Sequence, residues 1–172
     1  MESDIMSYII IMAICLIMSA YFSATETAFS SLSKTRLKTF AEKGNKKADL
    51  ALELAERYDR LISTILIGNN IVNILMASMG TVLFVEVLRA KNGAALSTLV
   101  VTVVVLIFGE ITPKSLANDY PEKFAMFSAP LIRLFIWILM PVRFFGFGLK
   151  ENYKNRGTRR SCLHLPIRKQ IS

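Results

Sequence analysis

An all-α membrane protein with three transmembrane helices, a short cytoplasmic helix pair and a helix lying along the membrane surface is the fold class that the sequence predicts. Two observations carry it: the apolar stretches are long enough to cross a bilayer, and the charges are excluded from them. Of 172 residues, 53% are apolar, and the mean hydropathy is +0.44, which excludes a disordered chain. Twenty-one basic against thirteen acidic residues give a net charge of +8. The basic residues are not interleaved with aromatics, so the balance reads as membrane topology and not as a nucleic-acid surface. Cys15 and Cys162 cannot make a disulfide framework or a four-ligand zinc site, and His164 has no second histidine to join.

The first span is the nearly continuous apolar run from Ile5 to Phe22, which lacks the basic start and cleavage site of a signal peptide. The second runs from Leu61 to Leu88, about 42 Å at helical rise, with Glu86 its one charge. Ala94 to Phe108 is about 22 Å against a core of roughly 30 Å, so the third span must borrow from Gly109-Glu110-Ile111-Thr112-Pro113. Between the first two, Leu37, Phe40, Ala41, Ala48, Leu52 and Leu54 alternate with charges and break at Gly44-Asn45, which predicts two short amphipathic helices.

Phe124 to Leu149 is apolar enough to cross but contains Arg133, Arg143, Pro130 and Pro141, and charge counting decides its place. Positions 1 to 7 carry Glu2 and Asp4 and no cation, whereas 33 to 60 carries Lys34, Arg36, Lys38, Lys43, Lys46, Lys47, Arg57 and Arg60. The N-terminus is therefore expected outside and the 33 to 60 loop in the cytoplasm. The 89 to 93 turn, with Arg89 and Lys91, is then external. A fourth crossing would strand the basic tail outside, so an interfacial helix and a cytoplasmic C-terminus fit better.

Several residues are costly at membrane depth unless they find a partner or water: Ser23, Thr25, Glu26 and Thr27; Asn69, Asn70 and Asn73; and Glu110. Helical rise puts Ser23 about 27 Å from Ile5, the asparagines about 12 to 18 Å from Leu61, and Glu110 about 24 Å from Ala94. With the second helix antiparallel, all fall in one half of the bilayer. Asn69 and Asn73 share a face at i and i+4, and Asn70 lies one step round. Gly68, Gly109 and Pro113 weaken the helices where backbone carbonyls would serve as ligands.

This inventory is oxygen only, which selects a hard cation such as Mg²⁺, Ca²⁺ or Na⁺ over zinc or copper. Plain readings stand beside it. Asn, Ser and Thr in spanning helices also simply hydrogen-bond between helices, Glu26 can cap a helix end, and Lys114 can pair with Glu110 or snorkel to the interface. No enzyme is expected, since Ser23 has no histidine or evident base.

At these same residues the chain resembles the transmembrane domain of the cyclin M/CorC magnesium transporters, which include proteins labelled hemolysin C-like. The matching stretches are FSATETAFSSLSKTRLK (22 to 38), LIGNNIVNIL (66 to 75) and FGEITPKSLA (108 to 117). The resemblance implies a homodimer of three-span protomers in the cell membrane, with a juxtamembrane helical belt and an inward-facing Mg²⁺ site. It assigns that metal site to Ser23, Asn69, Asn70, Asn73, Gly109 and Glu110, and it implies Mg²⁺ export coupled to Na⁺. The expected division is a transmembrane domain over 1 to 149 and a basic tail over 150 to 172, disordered or a truncation product, with no ATP-binding cystathionine-β-synthase-type domains. A membrane scaffold or Mg²⁺-sensing dimer is the alternative function.

Overall fold

The computed structural model describes residues 2–88 and 93–139. Residues 89 to 92 of the expected 89 to 93 turn, Pro141 and Arg143, and the expected tail over 150 to 172 lie outside the described residues. The described residues form seven α-helices and one π-helical segment, in order: α1 Glu2–Ser31, α2 Lys34–Glu42, α3 Lys46–Glu56, α4 Tyr58–Leu88, α5 Gly93–Val104, the π-helix Val105–Ile111, α6 Thr112–Asp119 and α7 Pro121–Ile138.

Among the described residues, three helical stretches are long and apolar enough to cross a membrane: Ile5–Ser31, Tyr58–Val87 and Gly93–Asp119. Each exceeds its sequence estimate. The first helix does not end at Phe22 but runs on to Ser31, and Thr25, Thr27 and Ser30 return their hydroxyls to the carbonyls of Tyr21, Ser23 and Glu26, at 2.7, 3.2 and 2.8 Å. An i−4 back-bond satisfies a hydroxyl without breaking the ladder. The third span is α5, the π-helix and α6 in one run, so it does borrow from 109 to 113.

The packing is inverted relative to a water-soluble bundle. Ile10, Ile14, Ile17, Ile71, Ile74, Leu99, Val103 and Phe108 are exposed, while Ser19, Ser23, Thr25, Thr64 and Ser97 are buried. Apolar side chains facing outwards and hydroxyls facing inwards suit a hydrocarbon surround. The chain is an all-α membrane protein.

Helix α1 is the centre of the bundle and packs against α4, α6 and the π-helix. Its contacts with α4 run antiparallel: Met12 reaches Gly80, Cys15 clusters with Met76, Ser19 meets Asn69 and Asn73, Phe22 covers Gly68, and Ser30 bonds Tyr58 at 2.8 Å. A Cβ on Gly68 would lie 2.6 Å from the Phe22 ring. This close approach holds the register, and Phe22 is in turn packed edge-on to Phe135 of α7 at 5.1 Å between centroids.

The expected short-helix pair is present as α2 and α3. Gly44, at φ +85°, makes the turn that other residues adopt at a cost, and Asn45 caps α3 by accepting from the Lys47 and Ala48 N–H groups. Leu37, Ala48, Ala51, Leu54 and Ala55 are buried. Phe40, read as part of that apolar face, is instead 41% exposed, since nine residues of α2 present only Leu37 to the core. Helix α7 occupies the place of the expected surface helix, and it buries Ala125, Ser128, Ala129 and Ile132. The Tyr21 hydroxyl donates to the Ser128 carbonyl at 2.8 Å and ties α7 to α1.

Candidate functional site

Many hydroxyls of the spanning helices are satisfied within their own helix. Ser63, Thr64, Ser78, Thr81 and Thr98 all donate to the carbonyl four residues earlier. Ser19 does not. Its hydroxyl, fully buried, lies 2.9 Å from Asn73 Oδ1 and 3.2 Å from Asn69 Oδ1. A hydroxyl has one proton, so two amide oxygens and a serine oxygen share a single donor. The cluster is rich in lone pairs and short of positive charge.

The π-helix supplies the third wall. Gly109 is buried, and a Cβ there would stand 3.0 Å from Ser19 Oγ. The absence of a side chain lets the backbone of the third span approach the serine. The wide turn persists to Thr112, whose N–H reaches back five residues to Ile107. Pro113 follows at the start of α6 and has no N–H, so the carbonyl of Phe108 or of Gly109 is left without its helical donor. A backbone oxygen is thus freed beside the glycine that touches Ser19.

The six residues singled out from sequence are distributed unevenly around this cluster. Asn69 and Asn73 meet on Ser19, and Gly109 backs onto it. Ser23 lies one turn further along α1, completely buried, with its Oγ lacking any hydrogen-bond partner. Glu110 is half-buried, and no ion pair joins it to another described residue. Asn70 is exposed, one step round α4 from the shared face.

Lys114, considered as a partner of Glu110, instead pairs with Glu26 of α1 at 3.3 Å. Lys114 stands four positions on from Glu110, but its side chain leans across to α1. Ser19 itself was not read from the sequence as a site residue. The available signal was its i, i+4 relation to Ser23, which places both on one face of α1.

Among the described residues, no group of three or more His, Cys, Asp or Glu side chains gathers as a metal site. Neutral oxygens therefore make up the cluster. An amide pair, a hydroxyl and a backbone carbonyl, with a carboxylate on the adjoining residue, are oxygen donors of the kind that hard cations accept.

Residues 10–149 match the cyclin M transmembrane N-terminal domain. The chain belongs to this family. It is 43% identical over 133 residues to a UPF0053 protein of Haemophilus influenzae, covering 77% of this chain and 31% of the relative. It is 44% identical over 124 residues to the UPF0053 inner membrane protein YfjD of Escherichia coli K12, covering 72% of this chain and 29% of that protein. A chloroplastic DUF21 domain-containing protein of Arabidopsis thaliana is 33% identical over 137 residues, 77% of this chain and 20% of its own length. The chain thus spans less than a third of the length of these curated relatives. Its cyclin M-type domain accounts for all three spans, the α2–α3 pair and α7.

Proposed function

We propose that this cyclin M-type domain moves Mg²⁺ across the membrane, out of the cytoplasm, with Na⁺ as the coupling ion. The observation that supports this reading most is the Ser19–Asn69–Asn73 cluster, where three oxygens share one proton against a glycine backbone. A partly dehydrated cation would satisfy those lone pairs. The orphaned Ser23 hydroxyl offers a further oxygen, and Glu110, next to Gly109 in the chain, supplies a negative charge. A single carboxylate among neutral ligands suits Mg²⁺, which sheds water reluctantly and must also be released.

In this mechanism the cation enters from the side of the basic α2–α3 pair and exchanges part of its shell for Ser19, Ser23, the asparagine amides and the freed carbonyl. The π-helix, between two ordinary helical stretches, is the hinge about which the third span rocks. The N-terminus lies outside the cell membrane and α7 runs along the cytoplasmic face. A homodimer fits the exposure of Asn70, which a second copy would cover beside Ile71 and Ile74.

Reconstitution in liposomes tests the reading. Mg²⁺ efflux should fall to background in Ser19→Ala and in Glu110→Ala, and parent-like flux in both would refute it. The exposure of Asn70 also favours a second reading, a Mg²⁺-stabilised scaffold or sensor dimer. That reading predicts Mg²⁺-dependent thermal stabilisation of the chain with no flux by the parent.

A further inference from the structure

At the corner where α6 gives way to α7, a groove of about 370 Å³ is lined by Leu116, Tyr120, Lys123, Phe124 and Phe127. Three of its walls are open: Leu116 is 64%, Tyr120 64% and Phe127 69% exposed. The Lys123 ammonium stands 5.2 Å from the centre of the Tyr120 ring, and Phe124 meets Phe127 edge-on at 6.2 Å. The groove therefore has a cationic rim and an aromatic floor.

Position along the molecule says what covers it. The third span ends at Asp119, so Tyr120 and Lys123 stand where hydrocarbon meets headgroups, the level that tyrosine and lysine favour. The exposed stripe continues along α7 through Leu131, Leu134 and Trp137, at the spacing of one helix face. Two neighbouring cations are occupied, Lys114 being tied to Glu26 at 3.3 Å and Arg36 to Glu122 at 3.8 Å. Among the described residues, Lys123 has no carboxylate within ion-pair distance. The Arg36 contact also puts the groove on the same side as the basic α2–α3 pair, the side facing the more anionic leaflet. A free cation above an apolar floor matches a lipid phosphate above its acyl chain, whereas a second protein copy would have to bring a carboxylate.

We propose that this groove is a binding site for an anionic phospholipid, with the phosphate held by Lys123 and the Tyr120 hydroxyl and an acyl chain laid over Leu116, Phe124 and Phe127. The full chain, carrying Trp137→Phe to remove its one tryptophan and Phe127→Trp as reporter, is reconstituted in vesicles of brominated phosphatidylglycerol or brominated phosphatidylcholine. Leu116→Trp reports from the opposite wall should the first reporter disturb folding. Phosphatidylglycerol should be preferred about fivefold in the quenching competition, the factor corresponding to ~1 kcal/mol for one lysine at an anionic surface. Lys123→Gln should bring the ratio near one and Lys123→Arg should retain it. Equal quenching by the two lipids, a preference that survives Lys123→Gln, or no quenching by either because another copy covers the groove would each overturn the proposal.

Discussion

Ser19 Oγ stands between Asn69 and Asn73 at 3.2 and 2.9 Å with one proton to give, and its consequences can be measured. Ser19→Ala removes a ligand and leaves two amide oxygens facing an apolar methyl. If the cluster binds Mg²⁺, losing one oxygen costs about 1 to 3 kcal/mol, so the Mg²⁺ concentration giving half-maximal thermal stabilisation should rise roughly 5- to 150-fold. Gly109→Ala should act on the same serine from the other side, since the new Cβ arrives 3.0 Å from its oxygen. Flux should fall at least tenfold while circular dichroism keeps the helix content of the parent, an outcome that separates a blocked site from a lost fold. Ser23, buried without a partner, behaves differently from the back-bonded hydroxyls. Thr81→Ala, removing a hydroxyl that serves only Ala77 O, should leave Mg²⁺ binding unchanged.

At the scale of elements, the π-helix makes stability and function diverge. Pro113→Ala restores an N–H to the ladder and should raise stability by about 1 kcal/mol, the worth of one regained hydrogen bond. By recapturing the freed carbonyl it should weaken Mg²⁺ binding at the same time. A thermal melt with and without Mg²⁺ reads both, and a variant that gained affinity would contradict the assignment. Gly68→Ala should be purely destabilising, by about 1 to 3 kcal/mol, because its Cβ falls 2.6 Å from the ring of Phe22. The melting temperature reports it.

Much of this level was legible in the sequence. Apolar length announced the three spans, the deficit after Phe108 announced that the third must run through Gly109 to Pro113, and Gly44-Asn45 announced the turn between α2 and α3. The interhelical register was not legible. Spacing says that Asn69 and Asn73 share a face, but interhelical contacts such as Phe22 on Gly68 determine that Ser19, and not Ser23, arrives opposite them. Lys114 was misjudged for a similar reason, since its partner Glu26 comes from another helix and not from the preceding turn.

For the whole molecule, the inverted arrangement of apolar surface and buried hydroxyls fixes a membrane protein of the cyclin M family, and the charge distribution predicts its orientation. In a background lacking Cys15 and Cys162, a cysteine replacing Lys43 on the α2–α3 pair should react with an impermeant thiol reagent only after the cell membrane is opened. Labelling of intact cells would reverse the topology. The central claim concerns where the three spans meet, and anomalous diffraction from crystals grown with Mn²⁺, an oxygen-seeking stand-in for Mg²⁺, tests it most directly. The expected result is a peak within coordination distance of Ser19 Oγ, Asn69 or Asn73 Oδ1 and a backbone oxygen of Phe108 or Gly109. A peak confined to surface carboxylates, with Ser19 still hydrogen-bonded to both asparagines, would contradict it.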